Sequence, residues 1–258
     1  MAENGLFSLA GQVAVVIGGG GVLGGAMATG LAQAGADIAI LGRTRDHAEA
    51  QAKAIEALGR KAIGVVCDAT SKTGLEQALA DVMERFGHVD ILVNAAGVNS
   101  GTPFFEITEA EWQRILDIDL TSVFLACQVF GKAMVDAGRG GSIINISSAS
   151  SGPPLSKVFT YGVAKAGVNQ ITQFLARELA PHNIRVNAIL PGFFPAEQNR
   201  KLLTAERTAS ILGHTPMRRF GESCELVGAT VYLASHQASS FVTGSILKVD
   251  GGFTAMTI

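Results

Sequence analysis

Short, nearly continuous apolar runs alternate with longer stretches of helical periodicity along most of the chain. The runs at 13–17, 37–41, 62–67, 89–93, 142–146, 184–190 and 246–249 predict seven strands. The patterns between them predict helices over 23–34, 46–58, 75–86, 109–136, 160–180 and 224–234. Strands that are apolar on both faces and separated by helices belong to a parallel sheet covered on each side. The predicted fold class is therefore α/β, a doubly wound seven-stranded parallel sheet. No repeat, low-complexity tract or linker divides residues 1–258, which predicts a single domain. The one long irregular segment, 191–221, carries Pro191, Pro195 and Pro216 and a short helical pattern near 199–212. Long excursions of this kind tend to cover functional sites, so this one reads as a substrate lid.

Composition narrows the function classes. The chain has 258 residues, 48% hydrophobic and 16% charged, enough for a full core and unlike a disordered protein. A net charge of −2 argues against a nucleic-acid or anionic-membrane partner. The N-terminus lacks a basic leader with an apolar core, and no apolar run looks long enough to span a bilayer. A soluble cytoplasmic protein is expected. Cys67, Cys127 and Cys224 lie far apart, with no Cys-x-x-Cys and no Cys/His cluster. They read as small buried residues of a reduced protein, and no metal site is expected.

The first candidate chemistry follows the first strand, in Gly18-Gly19-Gly20-Gly21-Val22-Leu23-Gly24-Gly25. Glycines there let the backbone turn sharply and bring a helix N-terminus against a pyrophosphate. A flexible structural loop is the alternative, but the placement at the first strand-to-helix turn favours dinucleotide binding. After the second strand comes Arg43, and no acid appears until Asp46. An acid there would accept the ribose hydroxyls of NAD, whereas an arginine pairs with the 2′-phosphate of NADP. NADP(H) is therefore expected over NAD(H), the alternative being a solvated arginine. Asp68, with Ala69 beside it just past the third strand, is placed to receive the adenine amino group or to serve as a cap or turn residue.

Tyr161 and Lys165 lie four apart in a helical pattern and so share one helix face. An ammonium favours phenolate, and an oxidised nicotinamide adds further positive charge. Such a tyrosine can give a proton to a carbonyl oxygen or take one from an alcohol. Ser148, just beyond the fifth strand, is placed to hydrogen-bond the same oxygen. A chance pair on a helix surface is the alternative. It loses weight because ligands of open α/β sheets gather at the carboxyl ends of strands.

These residues resemble the short-chain dehydrogenase/reductase superfamily. The resemblance covers nearly the whole chain: the glycine-rich turn, Asn94-Ala95-Ala96-Gly97, Ser148, Tyr161, Lys165, Pro191-Gly192, Phe241-Val242-Thr243-Gly244 and Val249-Asp250-Gly251-Gly252. It implies a Rossmann-like domain, hydride exchange between a nicotinamide and a carbonyl or hydroxyl substrate, and a homotetramer. By position, Tyr161 becomes the general acid/base, Lys165 the ribose ligand and Ser148 the group that orients substrate. Gly18, Gly20, Gly21, Val22, Leu23, Arg43, Asp68, Ala69, Asn94, Ala95, Ala96, Gly97, Pro191 and Gly192 would line the cofactor, and the Ile189 backbone would meet its carboxamide. The helices over 109–136 and 160–180 would form a subunit interface. The chain departs from the pattern at Ile17, Val22 and Ala196. It also departs at Asp119, which stands where the family's proton-relay asparagine is found. That carboxylate is expected to reshape the relay.

Stretches 18–28 and 191–219 resemble sugar-acid oxidoreductases of the D-mannonate oxidoreductase or fructuronate reductase type. Asn99, Phe193, Phe194, Gln198, Asn199 and Arg200 are then the expected substrate contacts, and the alternative for the last three is a solvated helix cap. The segment 98–105 is shorter than in that group, which leaves polyols, hydroxy acids and cyclic ketones open as substrates. Two other classes compete. One is a dinucleotide-binding sensor with weakened catalysis, suggested by Ile17, Val22 and Asp119. The other is an isomerase or dehydratase on the same scaffold.

Overall fold

A computed structural model describes residues 5–195 and 203–256. Its centre is one sheet of seven parallel strands: β1 (Val13–Ile17), β2 (Asp37–Gly42), β3 (Ala62–Val66), β4 (Ile91–Asn94), β5 (Gly141–Ile146), β6 (Ile184–Pro191) and β7 (Ile246–Val249). The spatial order is β3-β2-β1-β4-β5-β6-β7, so the order reverses between β1 and β4. Asn94 at the end of β4 is level with Ile17 at the end of β1 and with Asn145 of β5. This alignment brings the strand-end loops together along one edge.

The helices are α1 (Val22–Gln33), α2 (Arg45–Glu56), α3 (Lys72–Phe86), α4 (Glu109–Leu116), α5 (Ser122–Ala137), α6 (Phe159–Leu179), α7 (Ala205–His214), α8 (Val227–Ala234) and α9 (His236–Ser239). Along β1, Ala14 and Val16 pack into one apolar layer with α1, α2 and α8. Val13, Val15 and Ile17 pack into the other, with α3, α5 and α6. Period-two alternation with both faces apolar is the cause of the unbroken hydrophobic strand pattern. On the first face α1 comes so close to α8 that a Cβ on Gly30 would lie 2.4 Å from Val227 Cγ1.

Three differences from the predicted elements have local causes. The helix expected over 109–136 is broken into α4 and α5 by a π-helical turn, Asp117–Thr121. α3 starts three residues earlier than its apolar pattern because Ser71 caps it, accepting the Gly74 N–H at 3.1 Å. β4 starts two residues later than expected, after Asp90, whose carboxylate accepts the Val13 N–H at 2.9 Å.

Two compositional expectations also change. The run Glu109–Ala137 is long and apolar enough, by length and composition, to cross a membrane, but half of it is buried as a core element of this fold. Cys67 and Cys127 are buried, as expected, whereas Cys224 is exposed. Burial pushes the Cys127 thiol up to about 12.

Candidate active site

The site is assembled where the sheet order reverses. Gly18 ends β1 with φ +80°, and a Cβ on it would lie 2.7 Å from the Ala96 nitrogen. A Cβ on Gly24 would lie 2.3 Å from the Gly18 carbonyl oxygen. Only glycine lets the turn fold this tightly against the loop after β4. Ala95 donates its N–H to the Ile17 carbonyl at 2.9 Å and ties the two loops together. Gly21 precedes α1 and has no side chain to cap it, so the first amides of the helix remain for an anion. Val22 opens the helix half-exposed, and Leu23 lines the cavity described below. Gly20 faces His47, to whose Cβ an added side chain would approach within 3.0 Å. This close-packed, donor-rich cradle fits a dinucleotide pyrophosphate.

Arg43 is exposed at the end of β2. Asp68 sits in a turn, where its carboxylate accepts the Thr70 N–H at 3.0 Å and the Thr70 hydroxyl at 2.8 Å. These bonds, chiefly, hold it below the usual carboxylate range, with a smaller contribution from the nearby Arg43 charge. Ala69 beside it is buried. Asn94 is also buried and donates to Asn145 Oδ1 at 2.8 Å. Asn145 in turn donates to Thr172 Oγ1 at 2.9 Å, so this polar chain locks β4, β5 and α6 together.

Ser148 follows β5 and accepts the Ser150 N–H at 3.1 Å. It shares a cavity of about 110 Å³ with Tyr161 of α6, Asn99, Phe193 and Phe194. Lys165 is 2% exposed, and its ammonium donates to the Ile146 carbonyl at 3.0 Å and lies 5.5 Å from the Tyr161 ring centroid. Asp119 is wholly buried in the π-helical turn, its Oδ1 3.3 Å from Lys165 Nζ. Its Oδ2 accepts the Val98 N–H at 3.0 Å. Burial pushes this carboxyl up, opposed by the Lys165 charge.

A family model described as enoyl-(acyl carrier protein) reductase matches residues 21–254. The chain belongs to the short-chain dehydrogenase/reductase superfamily. As a member, it is an NAD(P)-dependent oxidoreductase with the superfamily's Rossmann-like fold. It is 39% identical to the 2-dehydro-3-deoxy-D-gluconate 5-dehydrogenase of Escherichia coli K12, over 96% of this chain and 98% of that one. A solved gluconate 5-dehydrogenase from Burkholderia cenocepacia J2315, in complex with NADP and tartrate, superposes with a TM-score of 0.93. It is 33% identical, and the match covers 97% of this chain and 98% of the other. A structure from Haemophilus influenza, provisionally assigned as a D-mannonate oxidoreductase and holding NAD, gives a TM-score of 0.91. It is 34% identical, with 97% of each chain covered.

One site expectation for this short-chain dehydrogenase/reductase is corrected. Ile189 lies inside β6, fully buried, and its carbonyl accepts the Ser147 N–H at 2.8 Å. The open end of the strand is instead Pro191-Gly192, where Gly192 donates to the Val249 carbonyl at 2.9 Å and Phe193 follows. Gln198, Asn199, Arg200 and Ala196 lie outside the described residues. The part of the lid region that is described contributes Arg207 of α7, which lines the cavity. Arg207 also donates to the Ser156 hydroxyl at 3.0 Å and carbonyl at 2.9 Å. Among the described residues no group of three His, Cys, Asp or Glu side chains is placed to hold a metal ion.

Proposed function

We propose that this enzyme uses NADP(H) to interconvert a ketone and a secondary alcohol on a sugar acid. The observation that carries the reading is the shared cavity: Ser148 and Tyr161 open into one space, with the Lys165 ammonium fixed beneath Tyr161. Within it the Ser148 hydroxyl orients the substrate oxygen. Tyr161 gives that oxygen a proton during reduction and takes one during oxidation. Lys165 stabilises negative charge on Tyr161 and offers a donor to the cofactor ribose. The bound nicotinamide supplies or accepts the hydride. Gly18, Gly20, Gly21, Val22 and Leu23 would seat the pyrophosphate, and Asn94 to Gly97 would flank the cofactor.

The NADP preference rests on Arg43, a cation at the end of β2 with no acid until Asp46. The sugar-acid reading rests on the relatives that act on gluconate derivatives and on the tartrate held by the Burkholderia structure. Arg207 at the cavity wall offers a cation for a substrate carboxylate. The direct test follows nicotinamide absorbance with NADPH and NADH over a panel of keto sugar acids, polyols and cyclic ketones. Turnover of keto acids with NADPH, lost about 10²- to 10⁴-fold in Tyr161→Phe, is expected. A Tyr161→Phe enzyme that keeps most of its rate overturns the mechanism.

The same reading places residues 1–258 in one domain that assembles as a homotetramer. Phe124 of α5 and Phe174 of α6 are 47% and 63% exposed, and a subunit contact would cover such rings. Light scattering of the purified protein tests this, and a stable monomer would refute it. The three free thiols suit a reducing, cytoplasmic setting.

A further inference from the structure

Asp119 is a charged group in a place that has to be built for it. The π-helical turn Asp117–Thr121 carries it into the protein, where it is wholly buried. Gly97 leaves the space it fills, since a Cβ there would lie 2.7 Å from Asp119 Oδ1. Oδ2 is satisfied by the Val98 N–H, whereas Oδ1 has no well-aligned hydrogen bond and faces the Lys165 ammonium at 3.3 Å.

Lys165 has three donors. One is given to the Ile146 carbonyl at 3.0 Å and another is turned toward Asp119, which leaves a third for the cofactor ribose. The charged groups that act on the carboxyl are Lys165 on α6 and Arg114 on α4, and Tyr161 lies against the Lys165 ammonium. The ammonium beside Tyr161 therefore does not act as a free cation. An anion in direct contact with it offsets part of its field at the phenol.

We infer that Asp119 is a positioning residue that compensates the Lys165 charge, keeps Tyr161 in its proton-bearing form and suits the enzyme to carbonyl reduction across the neutral range. The inference rests on Tyr161 being the acid/base. Reduction needs the phenol protonated before the substrate oxygen takes its proton, whereas oxidation needs it deprotonated. Compensation therefore carries the reductive plateau to higher pH and delays the onset of oxidation.

The chain has two tyrosines, Tyr161 and Tyr232, so a Tyr232→Phe background isolates Tyr161. Tyrosinate absorbance of this protein is titrated without cofactor, with circular dichroism marking the native range. Asp119→Asn and Asp119→Ser are each expected to lower the pH at which tyrosinate appears by about one unit, the size of effect one adjacent charge produces. In the cofactor-loaded enzyme the rising limb of oxidative kcat/KM should move to lower pH in parallel. An unmoved absorbance titration and an unmoved oxidative limb in both variants overturn the inference. A moved titration in a protein that turns over no carbonyl would sink the proposed function and leave the coupling standing. Turnover with an unmoved titration would do the reverse.

Discussion

Asp119 Oδ1 occupies the space where a side chain on residue 97 would begin, so Gly97 and the ion pair of Asp119 with Lys165 form one packed unit. The glycine has a negative φ, and its necessity lies in contact distance.

Gly97→Ala should therefore act through that unit. The methyl group must push Asp119 aside or strain the loop after β4, at a cost of about 1–3 kcal/mol. Denaturant unfolding measures the loss, and kcat should fall with it because Lys165 moves with its partner. A fully stable and fully active alanine variant would show that the turn yields freely.

Arg43→Ala should raise the KM for NADPH about tenfold and leave that for NADH little changed, as loss of one charge-assisted phosphate contact does. Equal effects on both cofactors would place the 2′-phosphate elsewhere.

Asn145→Ala breaks the buried chain between Asn94 and Thr172 at its middle. It takes the main acceptor from the Asn94 amide, which keeps only a contact to Cys127 Sγ at 3.4 Å, while the Thr172 hydroxyl still donates to the Val168 carbonyl at 2.8 Å. A buried amide deprived of its main partner costs about 1–3 kcal/mol. Asn94 Oδ1 is already without a partner in this interior. Unfolding should shift by at least one such increment. A smaller change would mean that water enters the gap.

The loop before α8 carries an acid-sensitive clasp. Glu225 accepts two bonds from the Arg219 guanidinium, at 2.6 and 2.7 Å, and these hold its carboxyl down at about 2. A carboxyl depressed in the folded state stabilises above its ordinary range and loses that contribution as pH falls through its folded value. The melting temperatures of the parent and Glu225→Gln should therefore differ near neutrality and converge as pH falls from about 4.5 toward 2. A gap that persists to the acid limit would show that the clasp has no part in stability. The pair is exposed, so the gap should be small.

Much of this molecule is legible in its residues because the signals are local. All seven strands announce themselves as apolar runs, and β1 and β7 match the expected limits. Ser148, Tyr161 and Lys165 are recognisable because each stands at a fixed place relative to a strand end or helix face. What stayed hidden depends on distant partners. Arg207 resembles any solvated helix arginine until α7 brings it to Ser156, 51 residues earlier. The Asn94–Asn145–Thr172 chain joins three elements that no sequence window spans. Ile189 falls inside β6, which runs on to Pro191, because a buried strand gives no sign of where its last ladder bond falls. The start of α3 was legible in Ser71, whose capping role the apolar pattern alone overlooks.

The π-helical turn has one more consequence. Each residue advances an α-helix by about 100°, so the wider turn acts as a one-residue insertion that rotates everything after it relative to α4. With that rotation in place, Val123, Ala126 and Phe130 lie in the buried apolar layer. Deleting one residue from 117–121 would restore regular winding yet swing the apolar stripe of α5 toward solvent, so the irregularity that houses a carboxyl also sets the orientation of an entire core helix.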